Sequence, residues 1–258
     1  MHTEASERWV RGRVGEVVVV DSRLPLLFWE DHFPVPSYAF DPADVRTDLL
    51  APGAAPAGSS FFTPKGPVER WYDLSVDGHV LRSAAWVRDD PALSGRIVLS
   101  WQPGLLTWLE EDEEVFSHPR DPHKRVDAVP SSRRVVVRSG GQVLAESTHP
   151  VLLFETGLPT RFYLPRGDVR LDLLAPGSSE SHCPYKGFAR DYWDLPASEG
   201  SDALTGIAWS YADPYPAVGA VAGRIAFYDE LVDVEVDGVA RDRPRSVFSD
   251  AGNRPTTA

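Results

Sequence analysis

The chain has 258 residues, of which 42% are hydrophobic and 25% charged, the balance of a globular protein rather than a fibrous or disordered one. Its formal net charge of -12 excludes a strategy of broad phosphate neutralisation, so nucleic acid is not an expected partner. No run approaches the ~18 apolar residues that span a bilayer, and the one cysteine, Cys183, excludes an intramolecular disulfide framework.

Those features, with an amino terminus (MHTEASERWV) that lacks a charged-then-apolar signal pattern, give a cytoplasmic protein with no membrane partner as the expectation. The 23 prolines and 20 glycines suit short strands and tight turns better than a helical bundle.

Taken in chain order, the first strong signal is an apolar run, Leu26-Leu27-Phe28, which reads as a fully buried strand. Residues 44–53 (DVRTDLLAPG) follow, with Asp44 placed to N-cap a short helical turn. The loop Phe62-Thr63-Pro64-Lys65-Gly66, the aromatic pair Trp71-Tyr72 and a hairpin signal at Asp77-Gly78 come next, then Trp86 and Gly95-Arg96-Ile97. All of these recur. Residues 168–177 (DVRLDLLAPG) match 44–53 at nine of ten positions, at an offset of 124. Ser22 to Glu30 matches Ser147 to Glu155, Pro64-Lys65-Gly66 is answered by Pro184-Tyr185-Lys186-Gly187, and Trp71-Tyr72 by Tyr192-Trp193. Trp86 is answered by Trp209 and Gly95-Arg96-Ile97 by Gly223-Arg224-Ile225. A repeat this long predicts two copies of a domain with its own core, and hence one topology for residues 16–102 and 142–229.

The expected fold is therefore mainly β: two tandem copies of a compact antiparallel domain with little helix. The expected boundaries are 1–107 for the first domain, 108–132 for an ordered connector, 133–240 for the second domain and 241–258 for a loosely ordered tail. In the connector, Trp108, Val115 and Phe116 predict docking on a domain, and the acidic residues between them a solvated face. His118, Arg120, Asp121 and His123 fit either a functional cluster or a network that locks the chain together. In the second copy, hairpins are predicted at Gly140-Gly141 and Asp237-Gly238, and a buried strand at Val151-Leu152-Leu153-Phe154. Residues 217–228 fit a helix or a buried strand equally.

The string His182-Cys183-Pro184-Tyr185-Lys186-Gly187, then Tyr192-Trp193, then Ala208-Trp209-Ser210-Tyr211-Ala212-Asp213-Pro214, resembles the DUF427 family. So does Leu158 to Pro165 leading into Asp168-Val169-Arg170, and the segment HPRDPHKRVD resembles that of its two-copy members. The resemblance implies a compact β domain, of the tent-like kind found in zinc-ribbon relatives. The family is sometimes labelled nucleotidyltransferase, and no catalytic residues follow from it.

The candidate site is the loop cluster of the second copy. Lys186 and Tyr185 are the proton-donor candidates, with His182, Cys183, Tyr192, Trp193, Trp209, Tyr211, Asp213 and Arg170 as ligand-binding candidates. The competing reading puts Trp193 and Trp209 in the core and Lys186 at the surface. His182 and Cys183 are adjacent, so on a strand they face opposite ways and do not form a nucleophile–base pair. One cysteine cannot supply the paired Cys-x-x-Cys arms of a zinc ribbon, so no metal or other cofactor is expected. For nucleotidyl transfer the nearest approach to a metal-holding set is Gly177-Ser178-Ser179 with Asp191 and Asp194, against Asp73 alone in the first copy. Arg46 with Asp48, and Arg170 with Asp172, occur in both copies, which points to an ion pair holding the fold, with anion binding by Arg170 as the alternative.

The expected function is binding of a small organic ligand, with acid–base conversion a further step. The alternatives are a non-catalytic interaction module and a nucleotidyltransferase. Because the first copy has lost the His, Cys and Tyr of the loop, the pocket is expected in the second copy and its first-copy counterpart filled or flattened.

Overall fold

The computed structural model describes residues 1–197 and 202–250 together with Gly252 and Arg254, and it divides into two compact units, Met1–Asp121 and Pro122–Ala258.

The first unit contains β1 (His2–Ala5), β2 (Val10–Val14), β3 (Val17–Ser22), β4 (Leu26–Trp29), β5 (Ser37–Phe40), β6 (Leu50–Pro52), β7 (Val68–Val76), β8 (His79–Arg88), β9 (Ile97–Leu99), β10 (Thr107–Glu110) and β11 (Glu113–Val115). A larger sheet runs β1-β4-β5-β9-β8-β7-β6 and a smaller one β11-β10-β2-β3. The second unit contains β12 (Val126–Pro130), β13 (Val135–Ser139), β14 (Gln142–Ser147), β15 (Val151–Glu155), β16 (Arg161–Tyr163), β17 (Ala175–Pro176), β18 (Ser181–Cys183), β19 (Gly187–Ala189), β20 (Asp191–Leu195), β21 (Leu204–Ser210), β22 (Ile225–Phe227), β23 (Asp233–Val236) and β24 (Val239–Arg241).

Here the order β12-β15-β16 continues through the bridge Leu164–Ile225 into β22-β21-β20-β17, and the second sheet runs β24-β23-β13-β14. Apart from the additional hairpin β18–β19, this is the order of the first unit, so the two copies share one topology. Every pairing is antiparallel. The fold is mainly β, as expected.

The sequence dictates the turns. Asp77-Gly78, Gly140-Gly141 and Asp237-Gly238 each place two successive residues at positive φ, the conformation that closes a two-residue hairpin with the right-handed twist of its strands. The strand registers then alternate faces. In the first unit Leu27, Tyr38, Leu74, Ile97 and Leu99 meet Val10, Val19 and Trp108 between the sheets, while Phe28, Ala39, Trp86 and Val98 lie on the outer face of the larger sheet. In the second unit Leu152, Phe162, Trp193 and Phe227 fill the inner core with Val135 and Val137, and Leu153, Tyr163, Tyr192, Trp209 and Ala226 take the outer face.

Several local expectations are corrected. Residues 107–115, with Trp108 and the acidic run, belong to the first unit rather than to a connector and form the hairpin β10–β11, which pairs with β2 as β23–β24 pairs with β13; Trp108 and Val115 dock on that unit's core, as expected of them. Asp44 and Asp168 do not cap a turn through Leu-Leu; each ends a short 3-10 turn, and the first of these turns is capped by Asp41, whose carboxylate accepts from the Ala43 N–H. Asp44 instead accepts a 2.6 Å bond from Ser22 Oγ. Phe154 is 44% exposed and not part of a fully buried strand. The 217–228 region is neither alternative alone: a 3-10 segment, Pro216–Val221, precedes β22. Beyond β24, Arg243 pairs with Asp233 at 2.8 Å, and the Phe248 ring packs tilted against that of Tyr228, 5.6 Å between centres.

The shared motif is explained by backbone geometry. Asp73 accepts from the N–H of Ser83, and Asp194 from that of Gly206, each of these two residues lying at positive φ where the register of β7–β8 or β20–β21 slips. A Cβ on Gly53 would lie 2.6 Å from Asp73 Oδ1, and one on Gly177 3.0 Å from Asp194 Oδ1. The glycine of each Ala-Pro-Gly therefore makes room for the carboxylate that clamps the bulge. Arg46 and Arg170 each make two bonds to Asp48 and Asp172 at 2.6–2.8 Å, on the surface.

Candidate functional site

The outer face of the larger sheet in the second unit holds the polar groups. Strand β15 ends at Glu155, and the β18–β19 turn brings Lys186 onto it, where Nζ donates to Glu155 Oε2. Both side chains are nearly buried, at 11% and 7% exposure, and Lys124 adds a second cation 3.6 Å from Glu155. The turn is fixed by backbone: Tyr215 N–H donates to Lys186 O at 3.1 Å, and Gly187, at φ 100°, lies against the backbone of Asp213–Tyr215.

Around the pair stand Tyr163, Tyr192, Trp209, Tyr211 and Tyr228, all buried. Trp209 Nε1 donates to Tyr163 Oη at 3.1 Å, and Ser181 Oγ bonds Tyr192 Oη at 2.7 Å. Next to them Arg161 clamps Glu230 with two bonds of 2.7 and 2.6 Å, and its guanidinium lies 5.5 Å from the Tyr228 ring centre and 5.8 Å from that of Trp209.

Burial alone would drive Lys186 towards its neutral form, but its interactions with the neighbouring Cys183 and Glu155 outweigh it and hold the ammonium above its ordinary range. Burial pushes the phenols of Tyr163, Tyr192, Tyr211 and Tyr228 up as well. At neutral pH the face is thus a fixed cation, a carboxylate and neutral hydroxyls. Lys186 acts there as a charge and a donor, not as a base. Asp229, 3.7 Å from Arg161, is pushed up to about 6, by burial first and then by Glu230.

Of the predicted site residues, the structure brings together Lys186, Cys183, Tyr192, Trp209 and Tyr211. Trp193 lies in the inner core on the opposite face, because it follows Tyr192 on a strand. Tyr185 is half-buried at the tip of the turn. His182 bonds Tyr215 Oη at 3.2 Å and packs 4.3 Å from Phe188. Asp213 is exposed, and Arg170 is engaged by Asp172 in the frame of the repeat. Sequence reasoning missed Glu155, Tyr163 and Arg161. The signal for Glu155 was present, since Glu30 and Glu155 close matching strands in the two copies.

In the connector, Arg120 Nη2 pairs with Glu113 at 2.5 Å and Asp121 accepts from Trp29 Nε1 at 3.0 Å, while Arg125 N–H donates to Thr156 Oγ1 at 3.0 Å. The first group belongs to one unit and the last to the other. Among the described residues no three His, Cys, Asp or Glu side chains gather in a way that would hold a metal ion, and no helix is long and apolar enough to cross a membrane.

The first unit builds the same face differently. Glu30 is held by Arg88, at the position of Tyr211, with a 2.6 Å bond between side chains 4% and 11% exposed. Lys65, the counterpart of Lys186, is exposed, and its backbone N–H rather than its ammonium meets Glu30, at 2.5 Å. The register places Ala39 where the second unit has Tyr163. The expectation that the first copy would be filled or flattened is overturned: its loop lines a small hollow and an open cleft.

Duplicated antiparallel β domains, each with a carboxylate–cation pair on the outer face of its larger sheet, define the class of protein. The chain belongs to the family described as "Domain of unknown function (DUF427)", labelled NTP_transf_9, whose model matches residues 2–97 and 127–238. Among curated proteins no match to the chain is found.

Proposed function

We propose that this protein binds a small organic ligand in the cytoplasm, and that the outer face of the second domain recognises it through Lys186, Tyr185 and the hydroxyls of the tyrosine cluster. The observation that carries this reading is the Lys186–Glu155 pair itself. A buried ion pair is commonly no more stabilising than apolar residues of the same volume, yet here it sits among five buried aromatic rings. Charged groups kept in such a place are candidates for function. The charged state of Lys186 favours binding over acid–base conversion.

The nucleotidyltransferase reading has less support, because Asp194 and Asp73 are spent on clamping bulges and Asp191 lies exposed. The interaction-module reading has no single observation in its favour.

The test compares the wild type with Lys186→Met, Glu155→Gln and the double variant. Native mass spectrometry looks for a co-purifying small molecule, and a thermal-shift screen of small organic acids and amides supplies the second readout. Ligand retention or stabilisation in the wild type alone, with the double variant folded, supports the proposal. A double variant that binds as the wild type does overturns it and leaves the pair a purely structural role.

A further inference from the structure

In the second unit a hollow of ≈ 220 Å³ lies at one end of the inner core. Its walls come from both sheets: Pro159 and Thr160 before β16, Asp229 and Val232 after β22, Val234 on β23 and Arg241 at the end of β24. The first unit fills the same place. The strand registers make Trp101 the counterpart of Asp229 and Trp108 that of Val234. Those two indoles stack, with ring centres 4.5 Å apart and 6° between their planes. Exchanging two indoles for a carboxylate and an isopropyl group accounts for the space. An engineered cavity of about 150 Å³ admits benzene, so the hollow has room for a small organic molecule.

Asp229 is the polar group that this hollow leaves unsatisfied. Its side chain is 9% exposed, and among the described residues no other residue donates a hydrogen bond to its carboxylate. Arg161 stands 3.7 Å away and is already committed to Glu230 by two bonds of 2.7 and 2.6 Å. Arg241 lies 5.5 Å from the Phe162 ring centre and, among the described residues, forms no ion pair with Asp229. Arg243 is paired with Asp233 at 2.8 Å, and the exposed Asp242 adds a second negative charge to the lining. A buried carboxylate is ordinarily paired or hydrogen-bonded, so one that lines a hollow calls for a donor from outside the chain.

We propose that the hollow is a second binding site of this domain, for a small primary amine with an aliphatic body. The ammonium donates to the Asp229 carboxylate, and the apolar part seats against Pro159, Val232, Val234 and Pro244. Ligand sites of this kind combine an apolar lining with a few placed polar groups, and a charge-assisted bond to a carboxylate is among the stronger ones available. With Arg161 and Arg243 each engaged by a carboxylate, the charge left over favours a cation over an anion. The site does not depend on Lys186, which does not line it.

Isothermal titration of the full chain with butylamine, 1-butanol and butyrate tests the inference. Butylamine is expected to bind at least about tenfold more tightly than 1-butanol, which has its length without its charge, and butyrate more weakly than either. Asp229→Asn keeps the shape and removes the charge, and is expected to lose about tenfold or more, with a thermal melt showing that the variant is folded. The wild type supplies a second readout. Burial holds the Asp229 carboxyl up at about 6, and the ammonium pairs with its ionised form. The arginines that face it, Arg161, Arg241 and Arg243, keep their charge, and Glu230 is bonded to Arg161. The association constant for butylamine should therefore fall roughly tenfold from pH 7 to pH 5. Equal affinity for 1-butanol, a preference for butyrate, or no binding of butylamine at millimolar concentration overturns the proposal. So does an affinity unchanged by Asp229→Asn or by pH across that range. Binding abolished by Lys186→Met and kept in Asp229→Asn overturns it too, and would place the amine on the outer face instead.

Discussion

Lys186 and Glu155 show how a single charge pair organises a loop. Removing one partner strands the other in a poorly hydrated place. Lys186→Met is therefore expected to destabilise the second unit by about 3 kcal/mol, at the low end for a broken buried pair because Lys124 remains near Glu155. Urea unfolding followed by fluorescence checks this, and Glu155→Gln combined with Lys186→Met should recover most of the loss.

Asp229 gives a pH signature of known sign. Its folded pKa is raised, from the usual 3.8 to about 6, so between those values the folded chain binds more protons than the unfolded one. Its contribution to stability falls as pH rises through that window, and the penalty is complete above it, on the order of 3 kcal/mol. Asp229→Asn should be more stable than the wild type at neutral pH, and the difference should shrink as pH falls towards 4. A difference independent of pH would show that Asp229 is not strained by burial.

At the scale of elements, the bulge clamp predicts an asymmetry between two identical motifs. Gly53→Ala forces a Cβ to 2.8 Å from the Asp73 backbone nitrogen, which cannot move aside, whereas Gly177→Ala meets chiefly the Asp194 carboxylate at 3.0 Å. Gly53→Ala is expected to cost roughly 2–3 kcal/mol and Gly177→Ala nearer 1 kcal/mol, the range of overpacked sites. Thermal melts of the two variants decide.

The carboxy-terminal segment is a second element-scale case. Ser246 Oγ donates to Glu230, and Phe248 covers Tyr228 and the Arg161 guanidinium 5.9 Å from its ring centre. Truncation after residue 242 should therefore weaken the second unit, by roughly 1–3 kcal/mol for a lost aromatic contact and an exposed ion pair. A polar, proline-containing sequence gives no hint of this, because a lone Phe has no periodicity to betray its partner.

At the scale of the molecule, each unit has its own core between two sheets, and each is of the size that folds alone. Residues 1–121 and 122–258 expressed separately are expected to give cooperative unfolding transitions, and the full chain the combination of both. Loss of cooperativity in either fragment would show that its core is completed by the other.

The sequence by itself determined the duplication, the β class and the hairpin positions. These follow from local rules: Asp-Gly and Gly-Gly turns, apolar strands and a repeated glycine motif constrain the backbone wherever they occur. It also carried the family motif and most of the loop cluster around Lys186. Tertiary structure alone decided which face each residue of a pair takes, so that Tyr192 joins the polar face and Trp193 the inner core. It decided too that Glu155, 31 residues upstream, is the partner of Lys186, and that the copy with the poorer motif keeps an open cleft beside its loop. Pairing across strands depends on the register of distant segments: Ala39 stands where the other copy has Tyr163, and no local pattern encodes that.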